Sequence, residues 1–96
     1  MQSSGIQTQV KHFLANDQDY ARFSYNSVID ERTVMEVYAH PFYRAIQGGV
    51  SSVMTALNRI NGKYASSNSW LLNDLLRTEL GFRGCECLLI PGCERY

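Results

Sequence analysis

The chain has 96 residues, with nine basic and nine acidic side chains and a formal net charge of zero. Apolar residues make up 45% and charged residues 19%, a balance that fits a globular chain and excludes a disordered one. This length holds at most one small domain. No basic cluster supports nucleic-acid binding, and no apolar run approaches the ~18 residues of a membrane span.

Met1 to Gly5 carry neither a basic n-region nor an apolar h-region, so no signal peptide is expected there, and localisation stays open. The first element is a strand over Ile6 to Val10, where apolar and polar residues alternate. Lys11, His12 and Phe13 follow, then Asn16, Asp17 and Gln18. Such polar crowding at a strand's C-terminal end is where an α/β barrel places ligand chemistry. Asn16 to Ile29 reads as a loop with Asp17, Asp19, Arg22, Tyr20, Phe23 and Tyr25; its aromatics either stack on a ligand or pack the loop down.

Asp30 is a natural N-cap, and Glu31 adds charge at the positive end of the helix dipole. Val34, Val37, Tyr38, Phe42, Ala45 and Ile46 then recur at helical spacing. Pro41 lacks a donor and clashes one turn back, which predicts a kink or a junction of two helices near His40. Gly48 and Gly49 stop the helix. Val50 to Leu57 reads as a strand buried on both faces. Asn58 to Gly62 is a loop with an Asn-Gly turn signal. Asn68 or Ser69 caps a second helix whose stripe is Trp70, Leu71, Leu72, Leu75, Leu76 and Leu80, with Asp74 and Arg77 spaced as an i, i+3 ion pair. Gly81 ends it.

Cys85, Cys87 and Cys93 all lie at the end of the chain. An odd number does not close a disulfide framework, and C-x-C with one further Cys lacks a fourth zinc ligand. No metal and no cofactor is expected.

Lys11-His12-Phe13 with Asn16-Asp17-Gln18 resembles the K-H-F-x-x-N-[DE]-Q signature of glycoside hydrolase family 3, the β-glucosidase family. Asp30, Arg32, Thr33, Glu36, Tyr38, Pro41 and Phe42 resemble its D-x-R-T-x-x-E-x-Y-x-x-P-F segment. Ser52-Val53-Met54 with Ala56, Asn58 and Asn61-Gly62 resembles its S-V-M-x-[SA]-Y-N-x-x-N-G segment, and Asn68 through Gly84 its N-x-x-L-L-x-D-x-L-R-x-E-x-G-F-x-G segment. The resemblance covers about residues 5 to 84. It implies an α/β fold, a partial (β/α)8 TIM barrel of about three βα units that does not close, since a whole barrel needs about 250 residues. It implies that Lys11 and His12 hydrogen-bond the hydroxyls of the sugar in the cleavage subsite. Met54 either lies towards that sugar, as the resemblance implies, or fills core space, as methionines commonly do. Leu57 stands where the family commonly has a Tyr whose hydroxyl lies near the nucleophile.

The resemblance breaks after Gly84. The family continues as a strand of the type F-V-V-S-D-W, whose Asp is the nucleophile; counting from Gly84 places Leu89 there, and Leu cannot form a glycosyl ester. Glu86 and Glu94 stand out of register. The expected division is therefore 1–84, a family 3 barrel segment, and 85–96, a divergent tail such as a frameshift or a mispredicted exon end would leave. The implied activity of the intact enzyme is retaining hydrolysis of terminal β-D-glucosyl residues, in carbohydrate catabolism. Its partner would be a β-glucoside or short β-glucan oligosaccharide. This chain alone is expected to be inactive, lacking both nucleophile and acid/base. Two other classes are a non-catalytic barrel remnant that acts as an interaction or oligomerising module, and a small Cys-rich metal or redox tail. Oligomeric state is left open.

Overall fold

The computed structural model describes residues 1–88. Leu89, Cys93 and Glu94 lie outside the described residues. A short 3-10 turn, Gln2–Ser4, opens the chain, and the Gln2 amide donates to the Gly49 carbonyl. The elements that follow are β1 (Gln9–Phe13), β2 (Asn26–Ser27), α1 (Glu31–Thr33), a π-wound turn Val34–Tyr38, and α2 (His40–Gln47). After them come β3 (Ser52–Thr55), β4 (Arg59–Ile60), β5 (Lys63–Tyr64), a π-wound helix Trp70–Glu79 and β6 (Cys85–Cys87). Among the described residues no helix is long and apolar enough to cross a membrane.

The main sheet has the order β1-β3-β6, with both pairs parallel. Parallel neighbours need a crossover, and helices supply both crossovers here. The result is two successive βαβ passes, the repeating unit of a barrel with its closing strands absent from the described residues. The sheet is built on three rows across the strands: Gln9, Ser52 and Cys85; Val10, Val53 and Glu86; Lys11, Met54 and Cys87. Alternate rows face opposite sides. The middle row faces the helices, where Val53 is fully buried. On the other side Gln9, Lys11 and Cys85 are exposed, and Ser52, Met54 and Cys87 are half-buried.

The first strand runs further than its alternation predicts. It covers Gln9–Phe13 in place of Ile6 to Val10, and Ile6 is exposed. Pairing with β3 decides this, because Val10 and Lys11 find their register against Val53 and Met54. Lys11 and His12 thus lie within the strand. The register slips between Lys11 and Phe13, leaving His12 as an extra residue. That bulge turns Phe13 to the helix side, where its ring meets Phe42 edge-on at 4.8 Å. The Lys11–His12 and Phe13–Leu14 peptide bonds are cis.

Asp30 caps the first helical stretch as expected: Oδ1 accepts from the Thr33 amide at 2.9 Å and Oδ2 from the Thr33 hydroxyl at 2.6 Å. The predicted interruption before Pro41 is present as a π-wound turn followed by a break at Ala39, with Pro41 in the first turn of α2, where a missing donor is harmless. The second helix is capped by Asn68, whose Oδ1 accepts from the Leu71 amide at 3.2 Å. Its wider winding separates Asp74 from Arg77. Arg77 instead reaches β6, with Nε 2.7 Å from Glu86 Oε1 and Nη1 donating to the Gly84 carbonyl at 2.8 Å.

Asn58 to Gly62 is not a loop but the start of a hairpin. β4 and β5 pair antiparallel across Asn61-Gly62, and both turn residues have positive φ, 49° and 90°. That is the combination a two-residue primed turn requires. β2 adds to β4 in parallel, making a second small sheet from the chain that follows β1 and β3.

Candidate functional site

The site forms where β1 and β3 end. Lys11 is exposed and its register partner is Met54, so the ammonium stem and the thioether stand side by side on the open face. Among the described residues the ion pairs join other side chains, leaving the Lys11 ammonium without a carboxylate partner. His12 is half-buried. Burial holds its pKa below the ordinary imidazole value, the Lys11 and Arg22 charges push it lower, and Asp19 opposes them. These effects favour the neutral ring, in which one nitrogen donates and the other accepts. Three ammonium donors beside such a ring suit a polyhydroxylated ligand.

Arg22 and Asp19 were absent from the residues singled out as ligand-binding, and their place follows from a turn. Tyr20 to Ser24 folds back on itself around Ala21, which has φ 54°. This brings Arg22 within electrostatic reach of His12, and its Nη1 lies 3.2 Å from Asp19 Oδ1. No periodic signal marks such a turn in sequence. Phe23 and Tyr20 remain exposed at its rim, with the Arg22 guanidinium 5.2 Å from the Phe23 ring centre.

The polar trio after the strand holds the loop more than it faces a ligand. Asn16 Oδ1 accepts from the Tyr25 hydroxyl, and Asp17 Oδ2 accepts from the Tyr38 hydroxyl at 2.8 Å. The latter bond, together with the carboxylate's charge, raises the Tyr38 pKa. Gln18 Nε2 donates to the Tyr20 carbonyl at 3.5 Å. Beneath them Asn58 is fully buried. Its Nδ2 donates to the Arg59 carbonyl at 3.1 Å and to the Ala15 carbonyl at 3.3 Å, while Ser27 Oγ donates to Ala15 from the other side at 3.0 Å. One amide thus ties the end of β1 to the end of β3. In sequence Asn58 shows as the residue directly behind a buried strand and as a position of the S-V-M-x-[SA]-Y-N-x-x-N-G segment, with nothing to mark its tie to the end of β1.

The nearby carboxylates are engaged, Asp17 with Tyr38 and Asp19 with Arg22, and neither is assigned an acid–base role. A groove of about 230 Å³ opens between the two helical layers and is lined by Glu31, Met35, Trp70, Asp74, Leu75 and Glu79. It includes none of Lys11, His12 or Met54.

A family model, the glycosyl hydrolase family 3 N terminal domain, matches residues 1–86. The chain is 48% identical over 84 residues to "Probable beta-glucosidase L" of Aspergillus terreus, covering 88% of this chain and 11% of that relative. It is 45% identical over 85 residues to a "Beta-glucosidase" of Rhizobium radiobacter, covering 88% of this chain and 10% of that relative. Among solved structures, DesR, a beta-glucosidase from Streptomyces venezuelae in complex with D-glucose, superposes with a TM-score of 0.88 at 41% identity, over 92% of this chain and 11% of that one. Beta-glucosidase 3B from Thermotoga neapolitana in complex with glucose gives 0.87 at 41% identity, over 91% and 12%. The chain thus spans about a tenth of the length of the curated relatives it matches.

Proposed function

Because this chain belongs to glycosyl hydrolase family 3, as part of the family's N-terminal domain, we propose that it is a segment of a β-glucosidase barrel in which Lys11, His12 and Met54 line the subsite for a terminal β-D-glucosyl residue. The observation that carries this reading is the Lys11–Met54 row at the strand ends, with His12 beside it. Ligand sites in barrels gather at that end. The bulge lets Lys11 and His12 stay out of the core while Phe13 enters it. The ammonium and imidazole would bond sugar hydroxyls, and such bonds strengthen as the ring approaches the oxocarbenium-like transition state. Arg22 joins them as a further donor, held in place by Asp19.

Retaining hydrolysis needs two carboxyls about 5–5.5 Å apart. The nucleophile position falls on Leu89, outside the described residues, and no acid/base is assigned. The segment by itself is therefore a binding half-site without chemistry, with 1–84 as the family segment and 85–96 as its divergent tail. A second reading, an interaction or oligomerising module, draws on the uncovered sheet face, where Gln9, Lys11 and Cys85 are exposed. The test is D-glucose titration of the chain followed by NMR, beside an aryl β-glucoside assay. Shifts at His12 and the Met54 methyl that vanish in Lys11→Ala, without turnover above an empty-host control, are expected. Turnover refutes the inactivity. Shifts confined to other residues, or a defined oligomer with no sugar response, favour the second reading.

A further inference from the structure

Three sulfur atoms gather on the open face of the sheet. Cys85 and Cys87 stand two apart on β6, so both side chains leave the same face. Met54 is the register partner of Cys87 on the neighbouring strand, and Lys11 is the register partner of Met54 beyond it. Cys85 is exposed, Cys87 and Met54 are half-buried, and both thiols are free.

A disulfide does not explain the pair. Residues two apart on a strand have Cα atoms about 6.6 Å apart with parallel Cβ directions. The bond needs Cβ atoms only about 3.8 Å apart. Zinc does not explain it either, because among the described residues no three His, Cys, Asp or Glu side chains could hold a metal ion. Glu86, between the two cysteines, belongs to the opposite row and is tied to Arg77, so its carboxylate does not reach this face, where the oxygens in the paired rows are the neutral ones of Gln9 and Ser52. What remains is soft: two thiols and a thioether, the donor set that selects Cu(I).

We propose that Cys85, Cys87 and Met54 form a three-sulfur site for a soft monovalent cation, Cu(I). The two thiols release their protons to solvent as the Cu–S bonds form, and the copper keeps its oxidation state. Metal–sulfur bonds of about 2.3 Å set the sulfurs of a three-coordinate ion about 4 Å apart, so the two cysteine side chains lean inward from their backbone spacing to hold it. Two thiolates and Cu(I) together carry one negative charge. The Lys11 ammonium, in the same row, is the complementary neighbour. The site draws Met54 and Lys11 from the same row that the sugar reading uses, and the cysteines from the strand beside it.

The test titrates the whole 96-residue chain with Cu(I) under anaerobic conditions, with bicinchoninate as the competing chelator. One Cu(I) per chain should leave the chelator, and the copper absorption edge should report sulfur neighbours only. Cys85→Ser and Cys87→Ser should each weaken binding by more than the ~100-fold that loss of an outer partner brings to a metal site. Cys93→Ser should change nothing. Met54→Leu conserves volume and should weaken binding about tenfold with circular dichroism unchanged, so the test survives if a cysteine variant fails to fold. Copper left on the chelator, full binding by the Cys85→Ser, Cys87→Ser double variant, loss through Cys93→Ser, or a silent Met54→Leu would each overturn the assignment.

Discussion

Removing Arg77 should loosen the third strand from the helix that precedes it. Its guanidinium donates to the carbonyls of Gly84 at 2.8 Å and Phe82 at 3.3 Å, pairs with Glu86 at 2.7 Å, and lies 5.2 Å from the Phe82 ring centre. Its side chain is 36% exposed and that of Glu86 23%, so water screens the ion pair, which is held to about 0.2–1 kcal/mol. The two backbone hydrogen bonds contribute about 1 kcal/mol each. After screening and overlap among these groups, Arg77→Ala should destabilise the chain by about 2 kcal/mol. Trp70 is the chain's only tryptophan and sits on the same helix, so its fluorescence reports the event directly. With a urea slope near 1 kcal/mol per molar, the midpoint should fall by about 2 M. Arg77→Lys keeps the charge but loses the planar fork, and should fall between the two. A double-mutant cycle with Glu86→Gln isolates the ion pair and should return no more than about 1 kcal/mol. An Arg77→Ala midpoint within ~0.5 kcal/mol of the parent would refute the idea that this side chain clamps β6.

Gly84→Ala is expected to undock β6 outright, because a Cβ there would meet the Ser51 carbonyl oxygen at 2.2 Å and the Phe82 ring at 2.6 Å. The readout is hydrogen exchange at the Cys85 amide, which donates to that same Ser51 carbonyl at 3.1 Å; retained protection would contradict the close approach. His12 should titrate below 6.5 by NMR, and Arg22→Gln should raise its pKa by removing a repelling charge. Since the folded pKa lies below the unfolded one, His12 favours the fold fully above pH 6.5 and progressively less as pH falls through the interval beneath it; a His12 titration at or above 6.5 would reverse that sign.

The helices and the second parallel strand were legible because their signals are local. Val50 to Leu57 is apolar and β-branched between a Gly pair and an Asn, and β3 lies inside it. The Leu stripe of Trp70–Glu79 and the Asp30 cap were equally plain. The first strand was misplaced because alternation over Ile6 to Val10 is a weak local signal, and the partner strand overrode it. β2, β4 and β5 are two residues each, too short to show a period, although the Asn61-Gly62 turn between β4 and β5 was visible. The Asp74–Arg77 pairing failed because i, i+3 neighbours share a face only under ordinary α winding, and this helix winds wider. At the site, Lys11, His12 and Met54 were readable as motif residues. Arg22 was not, since it arrives through a positive-φ turn at Ala21 that a non-glycine sequence conceals.

The single extra residue at His12 also works as a phase switch in the chain. Before it, odd positions of β1 look to the open side; after it, Phe13 looks to the core. Substituting this residue and straightening the bulge therefore have different consequences. His12→Ala removes an imidazole and leaves the phase intact. Pairing His12 into the ladder in simple alternation would force a choice: either Phe13 leaves its place against Phe42, or Lys11 turns inward with its charge. Ligand contact and core packing are thus written on one strand in a shared reading frame, and neither can drift by one residue without the other.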